Sequence, residues 1–124
     1  MTNTKVLIID DEDLVRDALV MVLERSGFNV MESPSAIKAL AICQNETFDI
    51  ILTDLVMPEM DGVLFIRNIR NAGIETPIIS LTGGARVGQQ NMSEEALEAG
   101  ALLALRKPVN KNQILEAINQ ALSL

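Results

Sequence analysis

Four acids in a row, Asp10-Asp11-Glu12-Asp13, follow the apolar run Val6-Leu7-Ile8-Ile9, and Asp54 follows the run Ile50-Ile51-Leu52-Thr53. Two further apolar runs end in Thr82-Gly83-Gly84 and in Arg106-Lys107-Pro108. If Asp10, Asp11 and Asp54 lie within about 5 Å of one another, each pair repels by about 3 kcal/mol at an effective dielectric near ~20. That amounts to about two pKa units per pair. Either one carboxyl keeps its proton or a divalent cation binds. An all-oxygen cluster without His or Cys suits Mg²⁺ or Mn²⁺ better than zinc. A Lys and a Thr facing such a cluster suit the handling of a phosphoryl group, where positioning and charge neutralisation do most of the catalysis. Lys107 would neutralise one phosphoryl oxygen, while Thr82 and the amide of Gly83 would donate hydrogen bonds to the others. No glycine-rich cradle follows the first run, as a nucleotide or flavin binder would require. Asp54 is the remaining nucleophile, accepting phosphate as an acyl phosphate.

The elements that must position these residues alternate from end to end. Lys5 to Ile9 is a continuous run suited to a strand buried on both faces. Val15, Ala18, Leu19 and Val22 then recur at helix spacing until Ser26-Gly27. Phe28 to Met31 reads as a second strand, and Pro34 to Gln44 as a helix with Ile37, Leu40 and Ala41 on one side. Phe48 to Thr53 is a central third strand. A loop from Leu55 to Met60 leads to a helix from Asp61 to Asn71, closed by Gly73. Pro77 to Leu81 is a fourth strand, Gly83 to Gln90 a glycine-rich loop, and Ser93 to Ala99 a short helix stopped by Gly100. Ala101 to Leu105 is a fifth strand, and Ile114, Ala117, Ile118, Ala121 and Leu122 mark the last helix. Five βα units make a doubly wound α/β domain with a parallel sheet and right-handed crossovers, spanning residues 1–124 without a linker. Such sheets carry function at the carboxyl ends of their strands, where all the residues above converge on one rim.

Composition excludes much else. The 124 residues include 10 basic and 17 acidic side chains, for a net charge of −7, with no His, Trp or Tyr and three Phe. Without His there is no Ser-His-Asp or Cys-His machinery and no HExxH zinc site. The acidity and the lack of stacking aromatics exclude direct nucleic-acid binding. One cysteine, Cys43, reads as a small core residue and forms no internal disulfide, as expected in a reducing compartment. No apolar run approaches the ~20 residues of a membrane span, so the expectation is a cytoplasmic protein.

Each of these residues also has a plainer reading. Asp10 and Asp11 suit the cap of the first helix, and Asp13 reads as a cap rather than a ligand. Thr82 before two glycines suits a turn. Lys107 suits a solvated surface position. Met21 and Met31 read as core fillers. It is the convergence of acids, hydroxyl and ammonium on one rim that favours a site over the separate explanations.

The chain resembles the receiver domains of two-component response regulators over essentially its whole length. The matching pieces are Val6 to Glu12, Asp49 to Asp54, Met57-Pro58-Glu59-Met60-Asp61-Gly62, Pro77 to Thr82, Glu98-Ala99-Gly100-Ala101 and Lys107-Pro108. The resemblance implies a flavodoxin-like (βα)5 fold with strand order 2-1-3-4-5. It implies Asp54 as phosphoacceptor, with Asp11, Asp54 and the backbone carbonyl of Val56 as direct Mg²⁺ ligands and Asp10 acting through water. Thr82 resembles the switch hydroxyl and Lys107 the phosphoryl-contacting lysine, with a cis bond to Pro108. The implied partners are a histidine kinase or histidine phosphotransfer protein and a downstream target or output domain. The chain would assist its own phosphotransfer and dephosphorylation without being a multiple-turnover enzyme.

Three departures stand out. Ala104 lies three residues before Lys107, where the family usually has Tyr or Phe, so either the switch falls to Thr82 and the following loop alone or the output surface is nearly constitutive. That loop is longer and richer in glycine than usual, with Gly83 where Ala is common. Strand 5 is unusually apolar, and exposure of Leu102 or Leu103 would predict a partner surface or a homodimer through helix 4, strand 5 and helix 5. Two other readings compete. A pseudo-receiver acting only as an interaction module would lack Asp54, the Asp10/Asp11 pair or Lys107. A dehalogenase-type phosphohydrolase would need an acid/base Asp two residues after the nucleophile, where this chain has Val56.

Overall fold

The apolar runs pair side by side, and the segments of helical period between them cover both faces of the resulting sheet. A computed structural model of the chain describes residues 3–83 and 92–123. In order the elements are β1 (Lys5–Ile9), α1 (Asp13–Arg25), β2 (Asn29–Ser33), α2 (Ala36–Asn45), β3 (Ile50–Asp54), α3 (Gly62–Asn71), β4 (Ile78–Thr82), α4 (Met92–Ala99), β5 (Leu103–Arg106) and α5 (Lys111–Leu122). All strand pairs are parallel, in the order β2-β1-β3-β4-β5. This is the (βα)5 topology that the resemblance implied.

Successive strand residues point to opposite faces, so each apolar run feeds two cores. Leu7, Ile9 and Ile51 pack with Ala36 and Ala39 of α2, Phe65, Ile66 and Ile69 of α3, and Ala96 of α4. Val6, Ile8, Ile50, Leu52, Ile79 and Leu81 pack with Leu19 and Leu23 of α1 and Ile114 and Ile118 of α5. β3 and β4 are buried at every position, as continuous apolar runs require.

Several boundaries and faces differ from the sequence expectation. β2 runs to Ser33 rather than Met31, because β1 holds it in register from Lys5 against Asn29 to Ile9 against Ser33. β3 begins at Ile50 and takes in Asp54, which makes the acid the last residue of a buried strand. β5 begins at Leu103 because the Ala101 amide donates to Ala96 and closes α4 instead. In α2 the buried residues are Ala36 and Ala39, while Ile37 is 46% exposed and Ala41 faces solvent. The small alanines let the helix lie close to the sheet, which rotates Ile37 outward. Met21 is exposed too, whereas Met31 packs on the core. Leu102 and Leu103 are half-buried against the α5-side core, so the expected dimer face lacks the exposed leucines that motivated it.

One contact ties the fold to the rim. The Gly62 amide donates to the Leu55 carbonyl at 2.8 Å, and Asp61 caps α3 by accepting from the Leu64 amide at 2.8 Å. A Cβ at position 62 would overlap the backbone carbonyl oxygen of Asp54 and lie 2.8 Å from Leu55 Cα. Only glycine lets α3 start this close to the end of β3.

Candidate functional site

Three strand ends deliver the central charges. Asp10, just past β1, is fully buried, and Asp54, the last residue of β3, is 4% exposed. Lys107 follows β5, and its amide donates to the Thr82 carbonyl at 2.7 Å, so the end of β4 anchors its backbone. The Lys107–Pro108 bond is cis. From this anchor the ammonium reaches Asp10 Oδ2 at 2.9 Å, Asp54 Oδ2 at 3.5 Å and Glu12 Oε1 at 4.0 Å.

The remaining carboxylate oxygens have backbone partners. Asp10 Oδ1 accepts from the Glu12 amide at 2.9 Å, and Asp54 Oδ1 accepts from the Leu55 amide at 2.8 Å. The Asp54 carboxyl is pushed up to about 6, chiefly by burial; Lys107 and the Leu55 amide pull it down, and the charge of Asp10 adds to the rise. Burial alone would lower Lys107, but its hydrogen bond to Asp10 and the charges of Asp54, Asp10 and Glu12 outweigh it, and the net direction is up. The charged ammonium is therefore the counter-ion of the acidic cluster.

The carboxylate oxygens that cluster belong to Asp10, Glu12 and Asp54, all within 4.8 Å of one another. The donors are oxygens only, at a cleft open to water, which fits hydrated Mg²⁺ or Mn²⁺ rather than a softer metal. Glu12 has no place in the sequence reading beyond its position in the acidic run. It is the N-cap residue of α1, yet its side chain makes no cap hydrogen bond. Glu is a poor N-cap beside Ser, Thr, Asp or Asn, and that mismatch is the one signal of another role. Asp13 is not the cap but the first helical residue, and it pairs with Arg16 at 2.7 Å.

Asp11 is not among these clustered carboxylates. With Val56 and Gly83 it lines a cleft of about 770 Å³ that also takes in Glu12, Asp54 and Lys107, with Leu14, Met57 and Pro58 along its wall. Along that wall the Met60 amide donates to the Pro58 carbonyl at 2.8 Å, around Glu59 at φ 69°. This is a γ-turn in the left-handed region, a conformation that a non-glycine residue holds only where its surroundings enforce it. Thr82, 4% exposed, ends β4, and its hydroxyl lies 3.5 Å from the Leu105 carbonyl. Ala104 is half-buried opposite Ser80. Apart from Gly83, the loop expected from Gly83 to Gln90 lies outside the described residues.

The response regulator receiver domain model matches residues 6–119. The chain belongs to the response regulator receiver family. It is 39% identical to the transcriptional regulatory protein FixJ of Rhizobium meliloti, over 98% of this chain and 58% of that protein. It is 32% identical to the chemotaxis protein CheY of Bacillus subtilis, over 96% of this chain and 98% of that one. The crystal structure of FixJ-N aligns with a TM-score of 0.90 at 37% identity, covering 99% of this chain and 96% of that one. The cluster of Asp10, Glu12, Asp54 and Lys107 is typical of a receiver-domain active site, here without an aromatic switch residue. Receiver domains are phosphoacceptors that promote their own dephosphorylation rather than multiple-turnover enzymes. Among the described residues no helix is long and apolar enough to cross a membrane.

Proposed function

We propose that this receiver domain accepts a phosphoryl group on Asp54 from the phosphohistidine of a histidine kinase or phosphotransfer protein. The observation that carries the reading is the buried Asp54 carboxylate 3.5 Å from the Lys107 ammonium, at the edge of an open cleft. A carboxylate oxygen of Asp54 forms the new O–P bond as the donor's P–N bond breaks and the imidazole leaves. Lys107 neutralises a phosphoryl oxygen, and the Thr82 hydroxyl and Gly83 amide donate to the others. Mg²⁺ or Mn²⁺, held by Asp11, Asp54 and the Val56 carbonyl with Asp10 acting through water, would supply charge neutralisation between carboxylates and phosphoryl group. Glu12, which shares the cluster, joins that set as a further candidate.

The donor has an apolar wall to dock on, since Leu14 beside the site is 85% exposed and Val15, Ala18 and Val109 line the same cleft. With Ala104 in place of an aromatic, Thr82 and the loop after it carry the change that a downstream target or output domain reads. Incubation with acetyl phosphate and Mg²⁺, followed by intact mass, is the test. One phosphoryl adduct on the wild type, absent from Asp54→Ala, is expected. An unmodified wild type would mark an interaction module instead, and an adduct that survives the substitution would move the acceptor elsewhere.

A further inference from the structure

We propose that Arg16 is a positioning residue of the cation site, acting through the peptide that joins Asp10 to Asp11. The inference rests on the reading of the rim as a site for Mg²⁺ or Mn²⁺. Arg16 sits in the second turn of α1, yet its side chain is only 12% exposed. Its guanidinium uses three separate arms. Nη1 donates to the Asp10 carbonyl at 2.7 Å, Nε to Glu32 Oε1 at 2.9 Å and Nη2 to Asp13 Oδ1 at 2.7 Å. These partners belong to the segment after β1, to β2 and to α1, so one planar group locks three pieces of backbone together.

The place of the Nη1 bond gives it its role. The ladder between β1 and β3 stops at Ile9 against Thr53, one residue before the acids begin. The Asp10 amide is still held, donating to the Ser33 carbonyl of β2 at 3.2 Å. The Asp10 carbonyl has passed the end of the ladder, and Arg16 is the donor that meets it. This carbonyl lies in the peptide plane that links the buried Asp10 to the cleft-lining Asp11. Fixing that plane fixes the directions in which both side chains leave the backbone. Glu32 and Asp13 keep the fork aimed by holding its other two arms. Groups that orient ligands in this way commonly govern metal affinity without touching the metal.

Charge and position predict opposite signs, which makes the role testable. Arg16 is a cation near the site, so on Coulomb repulsion alone its removal would tighten Mg²⁺ binding. If its function is to hold the Asp10–Asp11 peptide, removal weakens binding instead. In the full chain, titration with Mg²⁺ alone, followed by calorimetry and by the amide shifts of Asp11 and Leu55, should show a dissociation constant about tenfold higher in Arg16→Gln. Arg16→Lys keeps the charge and the apolar stem but loses the planar fork, and it should also bind Mg²⁺ several-fold more weakly. Arg16→Lys decides the matter by itself if circular dichroism shows the Gln variant unfolded. An unchanged or lower dissociation constant in a folded variant would overturn the role of Arg16 while leaving the site intact. A wild type that neither binds Mg²⁺ nor takes up phosphate from acetyl phosphate would overturn both.

Discussion

The two halves of the carboxyl-end rim are built to different standards. At the end of β1 and β3 the charged groups are held from several sides. Asp10 is fixed by the Glu12 amide, the Lys107 ammonium and, through its carbonyl, Arg16, while Asp54 is fixed by the Leu55 amide. Along β4 two hydroxyls as deeply buried as those acids have fewer bonds. The Thr82 hydroxyl has one long contact at 3.5 Å, and the fully buried Ser80 hydroxyl has no partner among the described residues. β5 is half-buried from Leu103 to Leu105, with only a methyl group at Ala104. The first half is over-determined, as a site that must place charges to a fraction of an ångström requires. The second half has unused hydrogen-bonding capacity, as suits a region that rearranges when the site is filled.

The largest effect expected within this comparison concerns the tightly held half. Its fixed geometry keeps Asp54 in a place that disfavours its charge, raising the carboxyl from 3.8 to about 6. Between those values the folded chain binds more protons than the unfolded one, so stability falls as pH rises through that window and stays reduced above it. In cation-free solution, Asp54→Asn removes the buried charge and keeps an acceptor for the Leu55 amide. It should therefore be more stable than the wild type by up to about 3 kcal/mol near pH ~7. The advantage should nearly vanish near pH ~4, where Asp54 is largely protonated in the native chain. Urea unfolding of both proteins at the two pH values measures it. A gap that is the same at both would show that the burial of Asp54 carries no electrostatic cost.

A smaller effect separates two buried serines. Ser33, 1% exposed at the end of β2, donates its hydroxyl to the Ser35 carbonyl at 2.8 Å. Ser80, equally buried in β4, donates to nothing among the described residues. Ser33→Ala loses a bond and should destabilise by about 1 kcal/mol, whereas Ser80→Ala removes an unsatisfied group and should stabilise by about the same amount. Denaturant midpoints at constant slope read both. Equal losses at the two positions would erase the difference between the halves.

The same contrast explains what the sequence made legible. The strands of the fixed half were readable because each is a continuous apolar run ending in acid, from Val6 to Asp10 and from Ile50 to Asp54. A strand buried on both faces leaves such a run, and a rim charge ends it. Glu12 and Arg16 were not readable in the same way. Glu12 looks like one more acid in a solvated row until Lys107, 95 residues away in sequence, is brought to 4.0 Å. Arg16 looks like an ordinary polar residue of a helix face until β2 places Glu32 beside it. The phase of α2 does not follow the bulk of its side chains, because the close approach to the sheet favours Ala36 and Ala39 over Ile37. Family resemblance drew attention to Ala104, but only the register opposite Ser80 puts that methyl beside an unpartnered hydroxyl.

The smallest effect expected is a pattern of amide shifts. If the β4–β5 half is the part that rearranges, a phosphoryl mimic at Asp54 should disturb the two halves unequally. Comparing amide spectra with Mg²⁺ alone and with Mg²⁺ plus beryllofluoride separates them. Near Asp54 the shifts should be confined to residues that touch the ligand, because Asp10, Leu55 and Arg16 already hold that end in place. Thr82 has only a long contact to give up, so its hydroxyl is free to turn toward the mimic, and the shifts should continue through Thr82 and Gly83 into the following loop. Ala104 has no ring to turn, so β5 should follow only through the bond from the Lys107 amide to the Thr82 carbonyl, with shifts that fade toward Leu103. Large shifts along the whole of β5 and α4 would mean that the transmitted change does not need an aromatic there. Shifts that stop at the cluster, leaving Thr82 unmoved, would mean that the slack in this half is not used to signal.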